Sequence, residues 1–204
     1  MFRHTLLPTL SALVVFHAAP FQLQAKPASP QAVLDQALQD LIRVAEASRG
    51  VSAIQLSQKT RPVLEKLFNF ESLTKRAVGQ GWRELSADQQ KQAVALFSEI
   101  LIRSYASRFD WDSKLEIQFS PPVDLGGGRV EVLAMTRYGN NNVKVLYRME
   151  PAANGWAVYD VVIEGVSLAA NYRAQFDSIR QRGGGEALLK LMQENLKQSA
   201  NKPA

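Results

Sequence analysis

The chain has 204 residues, a formal charge of +5 from 24 basic and 19 acidic side chains, no cysteine, and two histidines, His4 and His17. That mild basic excess, scattered among acids, gives no footprint for nucleic acid and is compatible with transient contact with anionic lipid surfaces. With no cysteine anywhere and both histidines near the start, the rest of the chain lacks serine-histidine catalysis, cysteine-histidine catalysis and any ordinary zinc site.

Arg3 and His4 form a short basic start, Leu6 to Ala19 is mostly apolar and uncharged, and Leu23-Gln24-Ala25 precedes Lys26 as a cleavage site. This pattern predicts a secretory signal peptide over residues 1–25. The apolar run is about 14 residues with Pro8 inside it, short of the roughly 20 that a membrane anchor needs. Its removal takes away Arg3 and no acid, so the charge falls from +5 to +4. Residues 26–204 suffice for one domain with a sizeable core. An exported chain held by packing alone fits the periplasm of a Gram-negative cell.

Ser29 followed by Pro30 is a helix start, and Leu34, Leu38, Leu41 and Ala45 carry one apolar face to a stop near Gly50. A shorter helix is expected from about Pro62, with Leu64, Leu67 and Phe68 apolar. Asn69 is the cap for the next, where Phe70, Leu73 and Ala77 face inward and Gly79 and Gly81 bracket the end beside Trp82. Ser86 with Gln89 makes a capping box for the longest helix, to about Arg108, whose stripe is Val94, Phe97, Leu101 and Tyr105.

Beyond Asp110 the period changes to two. Leu115 to Ser120, Arg129 to Tyr138, Val143 to Glu150 and Trp156 to Glu164 read as four strands of an antiparallel meander. Val132 and Ala134 share a face, as do Val143, Val145, Tyr147 and Met149. In the fourth strand Tyr159, Val161 and Ile163 lie opposite Val158, Asp160 and Val162. Gly165 ends that strand, and from Ser167 the apolar positions Leu168, Tyr172, Phe176 and Ile179 have helical spacing. Gly183 to Gly185 interrupts, and Leu188, Met192 and Leu196 define a last helix. The fold class is α+β: a single domain with a curved four-stranded antiparallel sheet surrounded by helices, which encloses either a core or a cavity.

No candidate for catalysis stands out. Neither triple glycine, at 126 or at 183, has the spacing of a phosphate loop. Gly165-Val166-Ser167 has the look of a nucleophile elbow, but with no histidine to activate it Ser167 reads better as a helix cap. Asp160 and Glu164 are about 13 Å apart by strand rise, too far for paired carboxylates. Asp110 and Asp112 read as loop or cap residues. The least implausible acid-base set is Asp160 with Tyr147 or Tyr159.

The block Val158 to Phe176, VYDVVIEGVSLAANYRAQF, resembles the signature of the MlaC family of periplasmic phospholipid-binding proteins, the toluene-tolerance auxiliary components of an ABC transport system. Phe70, Gly79, Trp82, Arg83, the Ser86 to Gln89 cap, Phe97, Leu101 and Tyr105 follow that family's order. The resemblance implies a nuclear-transport-factor-2 type of curved sheet and a non-enzymatic shuttle without cofactor. It would carry glycerophospholipid between an outer-membrane lipoprotein-porin complex and an inner-membrane ABC transporter with an MCE-type lipid-binding subunit, maintaining outer-membrane asymmetry. The lipid-lining candidates are Val132, Ala134, Val145, Tyr147, Val161 and Ile163 from the sheet, and Leu101, Tyr105, Leu168 and Tyr172 from the helices. Each reads equally well as ordinary core. Arg108, Arg148 and Arg173 are candidates for phosphate or partner contacts, against the alternative of solvated charge. A periplasmic interaction or chaperone module would use the same apolar surplus for protein clients.

Overall fold

The computed structural model describes residues 28–106, 116–138, 141–153 and 155–200, with backbone alone at 105, 106, 138, 141, 199 and 200. The expected leader, together with Arg108, Asp110 and Asp112, lies outside the described residues.

Helix α1, Pro30–Glu46, starts where Ser29 accepts a hydrogen bond from the Ala32 amide, and it buries Leu34, Leu38, Leu41 and Ala45. Helix α2, Ala53–Leu67, begins well before the expected Pro62, which sits inside it. Its true start is a capping box of Ser52 and Gln55. The first half buries Ser57 and Thr60 where an apolar stripe would be expected, and both hydroxyls donate to helix carbonyls. Small polar residues satisfied in this way pack like apolar ones yet read as loop.

Helix α3, Phe70–Val78, is capped by Asn69, which accepts from the Ser72 amide and donates through its side chain to Glu150 of the sheet. A turn of 3-10 helix, Gly79–Glu84, buries Trp82 and leads into α4, Ala87–Ala106, through the reciprocal Ser86 and Gln89 bonds. At Gly81 a Cβ would lie 2.2 Å from Cδ of Arg180, so a larger residue there would push that arginine aside.

The curved antiparallel sheet has six strands among the described residues, two more than expected. They are β1 Glu116–Phe119, β2 Val123–Gly126, β3 Arg129–Tyr138, β4 Asn141–Ala152, β5 Gly155–Ile163 and β6 Val166–Ser167. Both β1 and β2 pair with β3, as one edge strand broken by Pro121 and Pro122, and β6 is a two-residue strand on β5. Short elements around prolines and glycines carry too little period-two pattern to be read as strands.

Register across the central strands aligns Val132, Tyr147 and Val161 in one row and Ala134, Val145 and Ile163 in the next. A bulge then intervenes, since Arg148 pairs with Asp160 whereas Met149 pairs with Val158. The extra residue, Tyr159, corrects the simple alternation expected for β5. Val158 joins Val161, Met149 and Val132 in one buried cluster, while Tyr159 faces the Arg76 guanidinium at 4.1 Å.

After β5, Glu164 and Gly165 both take positive φ, 49° and 82°, and the chain turns tightly into β6 and α5, Leu168–Ala200. Asp160 fixes this joint. Its carboxylate accepts from the Val161 and Ala169 amides at 3.0 and 3.1 Å, the Ser167 hydroxyl at 2.7 Å and Arg148 at 3.2 Å. Ser167 in turn accepts from the Ala170 amide, so it is the helix cap that its position suggested. The expected interruption is a kink at Gly183 and Gly184, beyond which Leu188, Leu189 and Met192 are buried. Helices α3, α4 and α5 share one core around Leu73, Phe97 and Phe176; α1 and the end of α2 share another with the sheet.

Asp160→Ala removes one acceptor from four donors, two of them buried amides. The expected loss is about 3 kcal/mol, read as a lower urea midpoint at unchanged m-value. A loss under about 1 kcal/mol would show that the joint holds without the carboxylate.

Candidate functional site

Between the two cores the packing is incomplete. A cavity of about 210 Å³ lies between the sheet and the helices. Leu38 and Leu41 of α1, Leu64 and Leu67 of α2, and Leu101 and Ile102 of α4 form its helical wall. Phe68 and Phe70 close one side. The sheet contributes Ile117, Thr136, Val145, Tyr147, Val161 and Ile163, and Leu168 adds the first turn of α5. Among the described residues, only the hydroxyls of Thr136 and Tyr147 are side-chain polar groups on this wall.

Six of the ten candidates drawn from the sequence therefore lie on one surface: Leu101, Val145, Tyr147, Val161, Ile163 and Leu168. Val132 and Ala134 belong to the same rows of the sheet but are fully buried behind the wall. Tyr172 sits in the helical core, edge-on to Phe97 at 4.8 Å. The side chain of Tyr105 lies outside the described residues. The contributions of α1 and α2 were absent from the sequence reading, although Leu38 and Leu41 stand on its α1 stripe. Thr136 was also missed, because a polar residue at the end of a strand carries no inward signal; its register with Ile117 supplies that.

The cavity is electrically quiet. Among the described residues Tyr147 is the one titratable group on its wall, and burial pushes its pKa up to about 12, so the phenol is neutral at physiological pH. Charged groups sit outside. Arg148 donates to Glu131 and to Asp160, forming a ladder across the sheet, and Arg173 donates to the Arg76 carbonyl at the end of α3. Both arginines have structural partners. Asp160 is buried, with both oxygens engaged by the donors already described, and Tyr147 is on the cavity side of β4 while Asp160 pairs with Arg148. The set of Asp160 with Tyr147 is thus not assembled, because strand alternation puts the two on opposite faces; the bulge turns Tyr159 to the Asp160 side of the sheet, where the Arg76 guanidinium covers its ring and Asp160 is already engaged.

Behind the helical wall, Glu99 of α4 binds Arg61 of α2 and Arg103 one turn on. This pair ties α2 to α4, the two helices that carry Leu64, Leu67, Leu101 and Ile102.

A protein-family model described as MlaC protein matches residues 31–194. The chain belongs to the MlaC family. Among relatives, the intermembrane phospholipid transport system binding protein MlaC of Haemophilus influenzae is 24% identical over 135 residues, 64% of this chain. The chain spans 63% of the length of that curated relative. Among solved structures, the phospholipid-binding protein from Ralstonia solanacearum, in complex with a phospholipid, superposes with a TM-score of 0.77 at 27% identity. That match covers 85% of this chain and all of the other. Among the described residues of this MlaC-family chain, no helix is long and apolar enough to cross a membrane.

Burial alone would raise the Glu99 carboxyl, but hydrogen bonds and charge from Arg61 and Arg103 outweigh it and hold the group below its ordinary value of 4.5. A depressed carboxyl contributes stability above its unfolded pKa and loses it as pH falls through the folded value. Wild type should therefore melt a few degrees above Glu99→Gln at neutral pH. The gap should close as pH drops below about 4.5. A gap independent of pH would remove the ion pair as its cause.

Proposed function

We propose that the protein is a periplasmic phospholipid carrier that moves glycerophospholipid between the outer and inner membranes and so maintains outer-membrane lipid asymmetry. The observation that carries this reading is the cavity: among the described residues its wall is uncharged and apolar but for two hydroxyls, and it is formed by the sheet and residues of all five α-helices. Family membership and the lipid-bound Ralstonia solanacearum structure support the choice of ligand. The expected partners are an inner-membrane ABC transporter with an MCE-type lipid-binding subunit and an outer-membrane lipoprotein-porin complex.

The physics of the cargo demands such a site. At about 0.8 kcal/mol per methylene, exposing the roughly 30 methylenes of two acyl chains to water costs on the order of 20 kcal/mol. A carrier must cover nearly all of that surface and needs no reacting group. Transfer from a bilayer, which already shields the tails, is close to neutral, so direction comes from partners or from ATP used elsewhere. The cavity of about 210 Å³ is smaller than the roughly 300–1,000 Å³ of ordinary ligand sites. Acyl chains must therefore part its walls on entry.

Native mass spectrometry of protein purified without detergent should show mass added in phospholipid-sized steps, with glycerophospholipid in the organic extract. A clean unliganded mass would count against the carrier and favour a module for protein clients. Leu168→Glu offers a second test. It places a carboxylate on the cavity wall at the first turn of α5, where the helix dipole tolerates it. Bound lipid should fall at least about tenfold, since a charge facing acyl chains lacks compensation, while the circular dichroism spectrum is retained. Undiminished lipid in Leu168→Glu would mean that the tails lie elsewhere.

A further inference from the structure

Tyr147 is unlike the rest of the wall. It stands in the middle of β4 between Val132 and Val161, so its neighbours in the row are apolar. Buried tyrosines ordinarily pair their hydroxyl. No described residue gives this one a hydrogen bond, and its side chain, only partly exposed, lines the cavity. Burial is the sole cause of its raised pKa, as expected of a phenol without a partner. Thr136 differs. Its row is that of Val143, four residues along β3 from the Tyr147 row, or about 13 Å by strand rise, next to the exposed Arg137 and Lys144 at the sheet end. Solvent can reach that end.

An unpartnered phenol in an apolar cavity is a hydrogen-bond donor waiting for an acceptor on the cargo. Acyl tails have none. A phosphate is charged, and drawing it among leucines and valines is heavily penalised. The ester carbonyls, neutral acceptors between headgroup and tails, are the deepest polar atoms a phospholipid can bring in. We infer that Tyr147 donates to an acyl ester carbonyl of the bound lipid, fixing how far the glycerol end enters and favouring ester-linked over ether-linked lipid. The inference rests on the phospholipid-carrier reading. A site built around a hydrogen bond discriminates against the analogue that cannot complete it, because the buried donor is then left unpaired.

The test offers lipid-stripped protein an equimolar mixture of vesicle-borne diester phosphatidylglycerol and its chain-matched diether, and quantifies both lipids in the re-isolated protein. Wild type should load the diester about fivefold over the diether, one net hydrogen bond's worth. In Tyr147→Phe, which removes the hydroxyl alone, the ratio should fall toward one. A wild-type ratio near one, or an equal preference in Tyr147→Phe, overturns the inference while leaving the carrier intact. Absence of both lipids overturns the carrier reading and the inference with it. Should Tyr147→Phe fold poorly, wild type loaded with carbonyl-labelled diester still decides. A carbonyl infrared band shifted to lower frequency than in an aprotic apolar solvent supports the bond, and an unshifted band excludes it.

Discussion

The carboxylate of Asp160 is the interaction on which the architecture turns. One buried group binds the next amide of its own strand, the first turn of α5, the Ser167 hydroxyl and an arginine of the neighbouring strand. Strand, turn, helix and sheet ladder are thereby fixed at one point. Because α5 leaves that point at a set angle, Phe176 meets Phe97 of α4 edge-on at 5.4 Å, and the helical core assembles. A buried charge is tolerable only when its lone pairs are all taken, so a carboxylate that looks catalytic by burial is fully engaged in structure.

The bulge at Tyr159 has a consequence for the cavity. Regular alternation would have put Val158 on the outer face and Tyr159 among the inward residues. The extra residue turns Val158 into the buried sheet cluster and brings Tyr159 under Arg76. Among the described residues the cavity wall of the sheet is left apolar except for Tyr147 and Thr136, while polar tips and ion pairs such as Glu131, Arg148 and Asp160 go to the other face. A bulge also bends the strand that carries it, which suits a sheet that must wrap around contents.

Legibility followed the strength of the local signal. Caps at Ser29, Asn69 and Ser86, the period-two run of β3 to β5 and the switch at Ser167 were readable because each depends on neighbours in sequence. The start of α2 was not, since Ser57 and Thr60 occupy its buried face and Pro62 looks like a beginning. The same distinction divides the site. Val145, Tyr147, Val161 and Ile163 could be placed together from alternation. Whether a residue in the right row fronts empty space, like Val145, or lies packed behind it, like Ala134, depends on helices approaching from elsewhere in the chain. Tyr172 illustrates the limit: its helical stripe is right, but α4 and α5 close over it before the cavity begins. Family resemblance supplied what periodicity could not, namely the expectation that the apolar surplus serves a cargo.

A filled core and a hollow one thus coexist in a single domain, and the hollow one is a liability. Residual void volume destabilises at about 24 cal/mol per Å³. The cavity here, about 210 Å³ and partly open, forgoes packing contacts in the same way, against the narrow margin of a small domain. With no disulfide available, the compensation has to come from packing and pairing: the helical core around Leu73, Phe97 and Phe176, the Asp160 joint and the Arg61 and Glu99 pair. The helical core reaches the cavity through Leu101 and Leu168, so part of the wall packs on one side and faces open space on the other. Filling the cavity would then return stability that the empty state forgoes, so loading and folding reinforce each other without any contact specialised to couple them.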